Sequence, residues 1–126
     1  MSIPDRLDEQ RAGALAALCE LLVPGSGRVG AARYVEAVLA QMPAAAREAA
    51  LAAIDALAPS AAGGAAALAE RERTPEFALV RALAVEAYYS DFVEPGRDAT
   101  GAWAEIGFDS PLATRLAKDW SYLGIA

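Results

Sequence analysis

The chain has 126 residues, enough for one hydrophobic core and too few for two. Its formal charge of −6 argues against nucleic acid and anionic membrane surfaces, both of which need clustered Lys and Arg. It has no histidine and one cysteine, so the commonest general base, the commonest metal ligand and any internal disulfide are missing.

Apolar residues make up 56% of the chain, and many of them are alanine. Alanine favours helix more than any other residue but buries little area. The expected core therefore brings helices close together and gains less per residue than one of Leu and Ile.

Taken in chain order, Leu7, Ala14, Leu15, Leu18, Cys19, Leu21 and Leu22 recur at helical spacing and predict a first helix over roughly 5–22. Pro24 and Gly25-Ser26-Gly27 end it, and Pro24 presses Val23 toward an extended backbone. A second helix, about 30–42, places Ala31, Val35, Val38, Leu39 and Met42 inward, with Arg33 and Glu36 outward. Pro43 suits the first turn of a third helix over about 44–58, with Leu51, Ile54 and Leu57 inside and Arg47, Glu48 and Asp55 toward water. Pro59-Ser60 and Gly63-Gly64 mark a weak stretch, leading into a short helix that reaches Arg71.

Thr74-Pro75-Glu76 is a strong helix start: a capping hydroxyl, a proline at the first position, and an acid at the positive end of the dipole. Phe77, Val80, Ala84 and Tyr88 then follow at spacings of three and four, to an end near Ser90. Residues 91–109 read as a loop holding a helical turn near 102–106. Ser110-Pro111 opens a last short helix through Asp119, and Trp120-Ser121-Tyr122-Leu123 forms an aromatic tail. No stretch alternates in the manner of a strand, so the fold class is all-α: one domain, a bundle of five or six helices over 1–126, with an aromatic-rich C-terminal loop and tail.

A search for chemistry finds little. Gly25, Gly27 and Gly30 satisfy a bare G-x-G-x-x-G pattern, but they follow a helix, not a strand, and read as a helix–helix turn. Asp91, Glu94 and Asp98 lack EF-hand spacing and read as a solvated acidic loop. Cys19 lies in an apolar run and reads as a small buried hydrophobe. No catalytic, cofactor or metal residue is assigned.

The aromatic residues are more informative. Seven of the nine lie between Tyr88 and Tyr122, interleaved with Gly and Pro. Aromatics dominate interface energetics because they bury much area at small entropic cost. Tyr88, Trp103 and Phe108 are expected to supply volume to an alanine-rich core, with an interface role open for the last two. Tyr89, Phe92, Trp120 and Tyr122 are expected to face a partner. The candidate contact set is Tyr89, Phe92, Trp103, Phe108, Trp120 and Tyr122. Tyr88 and Tyr89 are adjacent and so point about 100° apart on a helix.

The run Leu15-Ala16-Ala17-Leu18-Cys19-Glu20-Leu21-Leu22-Val23-Pro24, the glycines after it, and Ala31-Ala32-Arg33-Tyr34-Val35-Glu36-Ala37-Val38-Leu39 resemble the opening of the gluconate 2-dehydrogenase subunit 3 family. Phe77-Ala78-Leu79-Val80-Arg81, Glu86-Ala87-Tyr88-Tyr89-Ser90-Asp91, Trp103 and Ile106-Gly107-Phe108 are similar to that family's aromatic–aromatic–Ser–Asp segment followed by Trp and Gly–aromatic. Each piece is degenerate, but they occur in the family's order across most of 15–108. The resemblance implies a small subunit with no cofactor of its own. Its partner would be a large FAD-dependent subunit of the glucose–methanol–choline oxidoreductase type, which it helps to mature and stay soluble. The chain departs from the family at Phe92, where Pro often follows Ser-Asp, and in lacking a twin-arginine signal. With no signal peptide and no apolar run of membrane length, a cytoplasmic complex acting on a sugar or glycoside is expected. The alternatives are a stand-alone helical interaction module that forms homo-oligomers, and a small carboxylate enzyme or carrier of apolar ligands.

Overall fold

The computed structural model describes residues 7–107 and 120–125. Among them are six α-helices and no strand: α1 (Glu9–Leu22), α2 (Ala31–Gln41), α3 (Ala44–Ala62), α4 (Ala65–Ala69), α5 (Pro75–Tyr89) and α6 (Ala102–Glu105). Short 3-10 turns occupy Ser26–Val29 and Ser121–Leu123. The all-α expectation holds. No described helix is long and apolar enough to cross a membrane. The last helix expected from Ser110 to Asp119 lies outside the described residues.

Helix starts follow the capping chemistry. Asp8 accepts from the Arg11 amide at 2.9 Å to open α1, and the Thr74 hydroxyl accepts from the Phe77 amide at 3.2 Å to open α5. At the other end of α1, the Cys19 carbonyl accepts from the Val23 amide at 2.9 Å and from the buried Ser26 hydroxyl at 2.8 Å. The Glu20 carboxylate accepts from the amides of Gly25 and Gly27 at 2.7 and 3.1 Å, fixing the path of the glycine turn. Gly25 and Gly30 bound this turn at φ +94° and +73°, values an L side chain rarely takes. G-x-G-x-x-G is therefore a helix–helix turn, as its sequence context indicates.

Two charged residues expected to face water do otherwise. Glu36 is only 4% exposed and pairs with Arg33 at 3.7 Å. Glu94 and Arg97, from the segment after α5, line a cleft together with both. Arg47 spans from α3 to α2: its guanidinium donates to the carbonyls of Leu39, Ala40 and Met42 at 2.8, 3.0 and 2.9 Å. It supplies donors that the last turn of α2 lacks.

Helix α3 does not stop at Ala58. It continues through Pro59 to Ala62 and keeps Ala61 buried one turn beyond Leu57. Pro59 has no amide hydrogen to give the Asp55 carbonyl, so this extra turn persists because its inner face is packed. The short helix predicted to reach Arg71 is trimmed to α4.

The core is one cluster, to which α1, α2, α3 and α5 all contribute. α1 lies along α3, with Arg11 and Asp55 paired across their outer edge at 2.8 Å. α5 packs on α1, α2 and α3. Leu15, Leu18, Val35, Ile54, Leu57 and Val80 are fully buried, and Ala50, Ala84 and Ala87 let the backbones approach between them. Tyr34, in the first turn of α2, meets Phe92 just past the end of α5, so the start of α2 lies beside the end of α5.

Replacing the exposed Pro59 by alanine is expected to raise stability by about 1 kcal/mol, since it restores the helix bond and relieves the ring. Urea unfolding of the two proteins checks this. A loss of stability would show that the proline acts mainly by restricting the unfolded chain.

Candidate interaction surface

The segment after α5 is organised by Asp91. Ser90 closes the helix, and Asp91 adopts φ +66°, the left-handed conformation that commonly turns a chain off a helix end. The Asp91 carboxylate is turned inward, with the residue 5% exposed, and accepts from the Trp103 amide at 3.2 Å at the start of α6. It acts as the N-terminal cap of a helix eleven positions downstream. Gly101 sits directly over it: a β-carbon there would lie 2.0 Å from Asp91 Oδ1. Only glycine fits. The reading of Asp91 as part of a solvated acidic loop is thus corrected.

The turn at Asp91 sends Phe92 inward. Phe92 is fully buried, so its assignment to the partner surface is also corrected. It packs edge-to-face against Tyr34 (ring centroids 5.3 Å) and Trp120 (5.5 Å), and Tyr34 meets Trp120 at 5.9 Å. Trp120 is half-buried in this trio and ties the C-terminal segment to the bundle; Leu123 and Ile125 behind it are buried as well. Burial pushes the Tyr34 hydroxyl above the ordinary tyrosine range. Negative charge on Glu86 adds to the rise, and the Ser90 and Tyr122 side chains engage the same hydroxyl.

Tyr88 and Tyr89 divide as adjacent helical residues should. Tyr88 is 5% exposed and Tyr89 is 49% exposed. The Tyr88 hydroxyl donates to the Glu105 carboxylate. Burial raises its pKa first, and the Glu105 bond raises it further. Arg28 closes this group, donating to Glu105 Oε1 at 2.6 Å, to the Thr100 carbonyl at 2.5 Å and to the Tyr88 hydroxyl at 3.4 Å. Trp103 is half-buried and donates its indole N–H to the Tyr89 carbonyl at 3.0 Å, which lays α6 beside the last turn of α5.

Among the described residues the large apolar side chains left in solvent are Tyr89, Ile106 (63%) and Tyr122 (63%). Ile106 follows Trp103 by three positions, on the same side of the α6 turn. Tyr122 reaches the Tyr34 hydroxyl beside Ser90, and its carbonyl accepts from the Gln41 side chain. All three therefore surround the C-terminal end of α5. Of the six predicted contact residues, Tyr89 and Tyr122 are exposed, Trp103 and Trp120 are half-buried supports, and Phe92 is core. Phe108 lies outside the described residues. Ile106 was not in the predicted set, because a lone Ile before Gly-Phe carries no periodic signal.

Among the described residues, groups arranged for catalysis are few. Burial, with Glu20 nearby, pushes the Cys19 thiol up to about 12. Among the described residues no group of three or more His, Cys, Asp or Glu is placed to hold a metal. A cleft of about 180 Å3 opens where Gly27, Gly30, Arg33 and Glu36 face Glu94 and Arg97, with Glu94 and Arg97 paired at 2.7 Å. A larger open trough of about 680 Å3 runs beside the Arg11–Asp55 pair. No family model, curated protein or solved structure matches the chain.

Phe92→Ala is expected to lower the stability of the isolated chain by about 3–5 kcal/mol, as for other buried aromatics. Denaturant unfolding measures it; an unchanged midpoint would return Phe92 to the surface. At pH 8, roughly one Cys19 thiol in ten thousand is ionised at a pKa near 12. A thiol reagent should therefore leave the native chain unlabelled for hours and label it within minutes in denaturant.

Proposed function

We propose that this chain is a non-catalytic small subunit that binds, stabilises and helps mature a larger FAD-dependent oxidoreductase acting on a sugar or glycoside, in the cytoplasm. The observation that carries the reading is the set of exposed apolar side chains, Tyr89, Ile106 and Tyr122, around one end of α5. An apolar set gathered at one place suits a protein partner, whereas scattered single residues are ordinary surface. The resemblance described above supplies the partner's class. The residues that carry it, from Tyr88 to Asp91 and at Trp103, also build and display this face. The flavin and the redox chemistry belong to the partner. This chain contributes apolar area on a rigid helix end, and its acidic surface keeps it in solution until the partner is met.

Affinity capture of the tagged chain from its native host, followed by mass spectrometry and a flavin absorbance spectrum, tests the reading. A flavin-bound oxidoreductase should co-purify. The double variant Tyr89→Ala/Tyr122→Ala should weaken its capture by about 30-fold or more, as loss of an interface anchor does. The same variant should lower the unfolding free energy of the isolated chain by about 1–3 kcal/mol, through the ring contacts of Tyr89 with Tyr88 and of Tyr122 with Trp120, and leave it folded. Capture without any flavoprotein, or self-association of the purified chain through these tyrosines, would overturn the proposal in favour of a homo-oligomeric module.

A further inference from the structure

The glycine turn between α1 and α2 has a second use. Three consecutive residues in it hold the segment that follows α5. The Gly27 carbonyl accepts from Arg97 at 3.3 Å, the Arg28 side chain binds Thr100 and Glu105, and the Val29 carbonyl accepts from the Glu94 amide at 2.8 Å. Gly30 completes the seat. A β-carbon there would lie 2.7 Å from Glu94 Oε1 and 2.8 Å from Arg97 Nε, so the bare backbone is what allows this close approach. Residues 93–101 have no regular structure of their own. Together with α6 they form a strap laid from the glycine turn to the end of α5.

The strap is held differently from the bundle. Helices α1, α2, α3 and α5 are joined by fully buried Leu, Ile and Val. From 94 to 107 the strap buries Gly101 and Ala102, half-buries Trp103 and tucks Ala99 partly in; Asp91 and Tyr88 hold it from the inside, and its two ion pairs reach solvent. The Arg28 and Glu105 side chains are 35% and 43% exposed, and those of Arg97 and Glu94 are 45% and 26% exposed. Ion pairs this open to water are weakened by salt, whereas an apolar core is not. Segments with few buried apolar contacts open locally at lower cost than the whole fold.

We propose that residues 94–107 form a strap that opens as a unit while α1, α2, α3 and α5 stay folded, and that Arg28 is the tether that keeps it closed. The strap carries Trp103 and Ile106 to the side of Tyr89, so opening it takes apart that side of the apolar face. Partner capture should then weaken with rising salt, the reverse of what an apolar contact alone would do. This link to the partner rests on the function proposed above; the opening itself does not.

Hydrogen exchange of the full chain, read peptide by peptide by mass spectrometry, tests the opening without any partner. In Arg28→Ala, the strap amides that have acceptors, those of Glu94, Arg97, Trp103, Ile106 and Gly107, should exchange about tenfold faster or more, the change expected when charge-assisted bonds close a local opening. Amides of α1, α3 and α5 should keep their rates. Raising sodium chloride from 0.05 to 1 M should speed the same strap peptides in the unsubstituted chain by severalfold. Should Arg28→Ala fail to fold, Glu105→Gln and the salt series carry the same test. The proposal is overturned if strap amides are already unprotected in the unsubstituted chain, if neither variant nor salt changes them, or if the strap and α1, α3 and α5 speed up together. If the strap opens as described but salt leaves flavoprotein capture unchanged, the reading of the partner face fails and the strap stands.

Discussion

The described segment from Phe92 to α6 depends on one turn of the chain at Asp91. Its left-handed backbone turns the chain off the helix, and its inward carboxylate then needs a donor, which the amide at the start of α6 provides. A buried carboxylate without such bonds would be costly. The placement of α6, the absence of a side chain at Gly101 and the inward course of Phe92 follow from meeting that requirement. The trio of Tyr34, Phe92 and Trp120 is a further consequence: the turned chain brings Phe92 onto the first turn of α2, and Trp120 covers the pair.

The bundle below this end shows how an alanine-rich chain holds together. Small side chains give each helix pair close approach but little buried area. The helix ends are correspondingly well attended. Arg47 bonds three carbonyls at the end of α2, Ser26 and the Val23 amide share the Cys19 carbonyl, and Glu20 takes two amides of the glycine turn. Each such bond contributes about 0.5–1.5 kcal/mol net, and more where a charge is involved. Aromatic volume is spent at the C-terminal end of α5 and at the turn after it, where helices no longer face one another and alanine could not close the gap.

The proposed function rests on this end of the bundle. The same few residues seat the strap, bury Tyr88 and leave Tyr89 in solvent, so a partner docking on the exposed tyrosines would touch a surface whose position is set by Arg28, Asp91 and Glu105. None of these three is itself apolar. An interface built in this way has apolar contacts for affinity and polar supports for geometry, which is the division of work seen when anchors are held by a bonded surround.

Local rules in the sequence determined the helices. Thr74-Pro75 set one start, the glycine turn set one end, and three-and-four spacing chose Leu15, Leu18, Val35, Ile54, Leu57 and Val80 for the core, whereas the Asp8 cap that begins α1 at Glu9 was not read from the sequence. Those signals act within a turn or two of chain, so they survive being read in isolation. The tertiary structure alone decided the rest. Helix α3 passes Pro59 because packing outweighs one lost bond, and Glu36 lies buried beside a cleft that it shares with Glu94 and Arg97, about sixty positions away. Phe92 and Tyr89 exchange no local signal that says which is core, since both lie at the end of a helix among polar neighbours. Their fates were fixed by the direction the chain takes at Asp91, and that direction is held by contacts with Gly101 and Trp103, which one-dimensional spacing cannot bring together.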